Sequence, residues 1–261
     1  MIRLLLTKFK NILLLLIVSA MVVTSTVSVQ AATAEDAYFG YKPDPVAMIA
    51  EAQQRQCEVI VRVGEYKGKA GKRIYLNGHN VKIPYDIPIR NDNDGKGDYV
   101  HEVDINIKEG VALVAKLKSM GVDAKLQVAS GKSEDLNAAG RKANKSNPYL
   151  YISIHHNYYD ENSTGYFAMY NPGNEQSQAV ADKLSNAIKN NRRVPQRASR
   201  ANTGYIGEMN VIHGTTTPVL LELGFFSNYR ELENICSDEY VSYVSSRLAR
   251  EIKIILDEDY R

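Results

Sequence analysis

No tryptophan occurs in the 261 residues, cysteine occurs twice and histidine five times. Two cysteines are too few for a closed structural zinc site, which wants four ligands and often thiolates. Charge of one sign is missing as well. Lys and Arg number 32 against 30 Asp and Glu, for a net charge of +2. That balance lacks the basic stripe of a nucleic-acid binder, so no nucleic-acid partner is expected. Internal repeats and low-complexity segments are absent. Tyrosine is abundant at 17; its rings can stack on sugars, but the ordinary reading is a half-buried ring with a wet hydroxyl.

Long apolar runs are scarce, and the one that stands out is Ile12 to Val23. Arg3, Lys8 and Lys10 precede it, and Val29-Gln30-Ala31 offers a small-x-small cleavage site. The run is short of the ~20 residues of a membrane span. Residues 1–31 therefore read as a signal peptide, and the protein as secreted into the cell envelope. The alternative is an uncleaved anchor extended through Leu4 to Leu6, which would place two lysines in lipid at considerable cost. Outside the cytoplasm Cys57 and Cys236 can pair as a disulfide; two buried thiols are the equal alternative.

Residues 32–71 read as a polar linker, a short helix and a strand. The helix spans 44–56, with Asp44 as its cap and Pro45 in its first turn. The strand is EVIVRVGEY, 58–66. From 72 to 261 one further domain is expected. Arg73 to Leu76 begins as a strand, and 81–98, rich in Pro, Asn and Asp, reads as a loop. Val103, Ile107, Val111, Val114 and Leu117 repeat at helical spacing over 102–120, with Gly121 as the stop. Strands follow at 122–129, 149–155, 164–172 and 218–223, and helices at 133–146, 174–190 and from 228 to the end. Strands alternating with helices predict an α/β fold, a three-layer αβα sandwich with a mostly parallel central sheet.

Three residues of metal-ligand type fall where such a sheet keeps its sites, at the carboxyl ends of strands. His79 follows the strand at Arg73, His155 ends the strand 149–155 within YISIHHN, and Glu102 opens the long helix. Two imidazoles and one carboxylate leave a fourth position for water, the pattern of a hydrolytic zinc centre. Glu222 stands inside PVLLELGFF, where an unassisted carboxylate is expensive. Strand alternation turns His156 away from His155, to packing or support, and returns Asn157 to the His155 face. His101 and His213 are further polar neighbours without a motif.

The ordered set NGHN, HEVDIN, RKAN, SIHHN and PVLLELGFFSN resembles the zinc-dependent N-acetylmuramoyl-L-alanine amidases of bacterial cell walls, the amidase-3 family, from about Lys72 to the C-terminus. The resemblance implies one αβα domain with one Zn2+ held by His79, Glu102 and His155. It implies Glu222 as the general base, and hydrolysis of the amide between N-acetylmuramic acid and the first L-alanine of peptidoglycan stem peptides. Arg141 and Asn144 match family positions of structural character. The chain departs from the family at its first ligand, where LNGHN replaces Asp-Pro-Gly-His-Gly-Gly, and in a longer gap from His79 to Glu102. A zinc peptidase acting on the stem peptide, and an inactive wall-binding or regulatory protein of the same fold, are the alternatives. An export signal with a lone catalytic domain is similar to the spore-cortex amidases of endospore formers, which implies a role in sporulation, and it fits a general autolysin too. A targeting or regulatory protein partner is implied by the lack of wall-binding repeats.

Overall fold

The structure, a computed structural model, describes residues 55–64, 73–75, 90–91, 98–128, 136–189, 194–202 and 207–260. The expected signal peptide, the linker, most of the first helix and His79 lie outside these.

A six-stranded sheet forms the centre. In chain order its strands are β1 (Val59–Val63), β5 (Ala124–Val128), β6 (Leu150–Asn157), β7 (Phe167–Tyr170), β8 (Arg200–Ala201) and β9 (Thr217–Phe225). Their spatial order is β5-β1-β6-β9-β7-β8. Every pairing is parallel except β7 with β9. The inner strands are almost continuously apolar because both of their faces are covered.

Alternation along these strands makes two different faces. Val59, Val61, Val63, Ile152, Ile154, Val219, Leu221 and Leu223 belong to the main core. Over them pack α1 (Glu102–Ser119), α3 (Glu175–Ala187) and α6 (Asp238–Ile255), through Leu113, Leu117, Val180, Leu184, Val244, Leu248 and Ile252. Each such side chain contributes roughly 1.5–3 kcal/mol on burial. The opposite face carries Ile60, Tyr151 and Leu220 in smaller clusters. It is covered by α2 (Leu136–Asn144) and the single turn α4 (Gly207–Asn210), which supply Ala143 and Met209. The mostly parallel αβα sandwich is thus the observed architecture.

Three local differences have physical causes. Val111 is 50% exposed, and the buried face of α1 takes in Ile105, Glu109 and Leu113 beside the expected Val103, Val114 and Leu117. Within the expected loop 81–98, β3 (Arg90–Asn91) and the start of β4 (Asp98–His101) pair antiparallel, and β2 (Arg73–Tyr75) pairs with β4 on its other edge. Strands of two to four residues are too short to show an apolar period. The C-terminal helix divides into α5 (Tyr229–Ile235) and α6, because Ser237 accepts the Tyr240 N–H and caps a new start. Of the two readings open for the cysteines, the structure has two buried thiols: Cys57 and Cys236 are unbridged and lie in separate clusters.

Candidate active site

At the carboxyl end of β6 the chain turns from apolar to polar. Ser153 and His155 face the side of α2 and α4, where Ser153 Oγ donates to Glu208 on α4. His156 faces α1, and its Nδ1 lies 2.8 Å from Asn106 Oδ1. Adjacent histidines therefore serve opposite layers.

Glu102, the first residue of α1, reaches the carboxyl rim of the sheet, and its Oε1 lies 2.9 Å from His155 Nδ1. The same oxygen accepts the Asn106 side-chain N–H at 3.1 Å and the His156 backbone N–H at 3.3 Å. Asn106, one turn along the helix, also donates to the Gly64 carbonyl at 3.2 Å. Since the Asn106 amide nitrogen is committed to donating, its oxygen accepts, and His156 must carry its proton on Nδ1. Burial drives the His156 pKa down to about 3, against the pull of Glu102, so this ring stays neutral.

Burial alone would favour a neutral His155 and a protonated Glu102. Their mutual contact outweighs it. His155, with Glu102 on one side and Glu208 on the other, is raised to about 10, and Glu102 is lowered. Glu208 is also lowered: burial is opposed by His155, Arg62 and Ser153. Both carboxylates are thus favoured in their anionic form by the His155 ring between them.

Glu222 is the register partner of His155 on the neighbouring strand. Parallel partners share a face, so the two residues belong to the same side of the sheet at its carboxyl rim. The residue is half-buried, with Oε2 shielded from solvent. Just beyond it Gly224 takes φ +134°. The following turn is tied down by Glu231, which accepts the N–H of Phe225 at 2.8 Å and of Gly165 at 2.6 Å. Asn144 holds a loop, donating to the Val211 carbonyl and accepting the His213 N–H, and Arg141 is exposed. Asn157 accepts its neighbour's N–H at Tyr158 in a local turn, after a register shift between His155 and Asn157.

A buried carboxylate oxygen and an imidazole nitrogen that converge are hard and borderline donors suited to a divalent ion. Glu102 and His155 could thus form part of a metal centre. Among the described residues no cluster of three His, Cys, Asp or Glu is arranged to hold a metal. The expected third ligand, His79, lies outside them. Sequence reasoning passed over Glu208, an acid between Gly207 and Met209 in a turn too short to show any period.

A family profile of N-acetylmuramoyl-L-alanine amidases matches residues 88–253. The chain belongs to this amidase family. The matched span includes Glu102, His155 and Glu222 and begins after His79. Among solved structures, the chain is similar to the N-acetylmuramoyl-L-alanine amidase of Clostridium difficile 630, at 18% identity and a TM-score of 0.56, over 78% of this chain and 99% of that one. It is similar to the amidase AmiC2 of Nostoc punctiforme, at 19% identity and a TM-score of 0.56, over 78% and 98%. The CwlD amidase of Clostridioides difficile, solved in complex with the GerS lipoprotein, matches at 18% identity and a TM-score of 0.51, over 78% and 100%. No curated protein sequence matches the chain. These amidase folds share the αβα sandwich described above.

Proposed function

We propose that the protein is a secreted, zinc-dependent N-acetylmuramoyl-L-alanine amidase that releases stem peptides from peptidoglycan, with His79, Glu102 and His155 as ligands and Glu222 as the catalytic acid–base. The observation that carries the reading is the 2.9 Å approach of Glu102 Oε1 to His155 Nδ1, with Glu222 in register beside that histidine. A bound zinc ion would supply Lewis acidity and lower the pKa of water to about 7.

The chain's own residues do the rest. The Glu222 carboxylate accepts a proton from the attacking water as it adds to the lactyl carbonyl. It then delivers that proton to the alanine nitrogen as the C–N bond breaks. Asn106 and the His156 N–H hold the Glu102 carboxylate in place.

Export rests on the composition of residues 1–31, and the site of action is the cell wall or the spore cortex. A protein partner belongs to the same proposal; CwlD, a similar structure, was solved with a lipoprotein bound.

Glu222→Gln tests the assignment. The amide keeps the shape and cannot take the proton, so turnover on purified peptidoglycan should fall by about 10²–10⁴-fold or more with zinc content unchanged. Mass spectrometry of wild-type products should show intact peptides beginning with L-alanine. Near-wild-type turnover in folded Glu222→Gln would remove Glu222 from the chemistry, and cleavage inside the stem peptide would replace the amidase reading with a peptidase.

A further inference from the structure

Glu208 is fully buried and has no part in the chemistry above. We propose that it is a positioning residue: its carboxylate takes the Nε2–H of His155 and thereby turns Nδ1 toward Glu102 and the metal. The inference rests on the metal-centre reading and adds to it the group that orients one ligand.

The geometry points to this role from three sides. His155 Nε2 lies 3.7 Å from Glu208 Oε1, while Nδ1 on the other side of the ring lies 2.9 Å from Glu102 Oε1. An imidazole with an acid at each nitrogen has only one useful orientation. Closing the longer contact to a hydrogen bond of ~3.0 Å takes a movement of less than about 1 Å. Second, the carboxylate is itself fixed. Ser153 Oγ donates to the same Oε1, and Arg62 Nε faces Oε2 across 3.7 Å. A buried anion needs such compensation to stay charged. Arg62 and Ser153 alternate onto this face from β1 and β6, so the sheet supplies the counter-charge and the donor from directly beneath.

Third, the chain is built to bring α4 this close. A Cβ at Gly140 in α2 would lie 2.5 Å from the Glu208 carbonyl oxygen, and one at Gly207 would lie 2.5 Å from Asn137 Oδ1. Two missing side chains let a four-residue turn sit flat against α2 and aim Glu208 at β6. A partner for Arg62 alone would not need an Oε1 directed at Ser153 and His155. Metal-bound histidines commonly give their second ring N–H to a carboxylate, which sets tautomer and orientation.

The test measures zinc affinity by chelator competition in the metal-stripped full chain, for wild type and Glu208→Gln, with thermal unfolding of both. Glu208→Gln keeps the volume and loses the charge, and should weaken zinc about 10–100-fold. Unchanged affinity overturns the proposal, also when the variant is less stable, since that pattern describes a mere counter-ion of Arg62. A second measurement needs no variant. In wild-type protein loaded with cadmium-113, long-range proton–nitrogen spectra should show His155 protonated at Nε2 and coupled to the metal through Nδ1. Coupling through Nε2 overturns the proposal even if Glu208→Gln fails to fold. Wild-type protein that binds no zinc takes away the metal-centre reading, and this inference with it.

Discussion

His155 and His156 are neighbours of identical chemistry, and the strand sends them to different layers. His155 meets Glu102 and Glu208; His156 meets Asn106. Their alanine variants should therefore fail differently. On the proposed assignment His155→Ala removes a ligand, so the dialysed protein should lose zinc while circular dichroism stays native. His156→Ala leaves the buried Asn106 oxygen without its donor, which costs about 1–3 kcal/mol of stability, yet at saturating zinc the protein should still bind one equivalent. Elemental analysis beside thermal unfolding separates the two, and full zinc in folded His155→Ala would end its assignment as a ligand. Much of this was legible in the sequence, because a charged or ring-nitrogen side chain at the end of an apolar strand has few cheap explanations. Glu208 was not. Its burial arises from contacts between segments far apart in the chain, and nothing local marks an acid in a four-residue turn.

Elements follow the same division. Helix α1 was legible because it is long enough to show a period, and strands β6 and β9 because they are apolar runs that carry recognisable polar residues; Gly121 takes φ +79° where α1 stops. The pairings of β3 and β4, and the interruption at Ser237, depend on hydrogen bonds that leave almost no pattern. The packing of α2 on α4 is likewise a tertiary fact, carried by Gly140. A methyl there would also lie 2.3 Å from Val211 Cγ2. Gly140→Ala is an excellent helix substitution in isolation. In place it should cost about 1–3 kcal/mol by overpacking, and by displacing α4 it should weaken zinc together with Glu208→Gln. Chemical denaturation and zinc competition on the same preparation check this. A stabilised Gly140→Ala would mean that α4 yields without loss and that its close approach is incidental.

At the scale of the whole molecule, the middle of α1 carries a deeply buried carboxyl group outside the site. Glu109 is 1% exposed, and among the described residues neither of its carboxylate oxygens has a hydrogen-bond partner. Burial pushes its pKa well above the ordinary 4.5, and only Lys108 opposes that. Tyr240, on α6, is raised too, first by burial and next by Glu109 itself. The folded state thus keeps a proton that the unfolded chain releases. Folding stability from this group is complete below about pH 4.5 and is lost as pH rises toward the raised folded value, because the folded state then binds more protons than the unfolded one. Glu109→Met fills the site without a titrating group. Near neutral pH it should be more stable than wild type by about 1–3 kcal/mol, and the difference should grow as pH climbs from 5 to 8. Every other titrating group is common to both proteins and cancels in that difference. Urea unfolding at four or five pH values gives the two curves. Parallel curves would show that Glu109 is ionised in the folded protein, and that the layer between α1 and α6 holds a compensating charge or water.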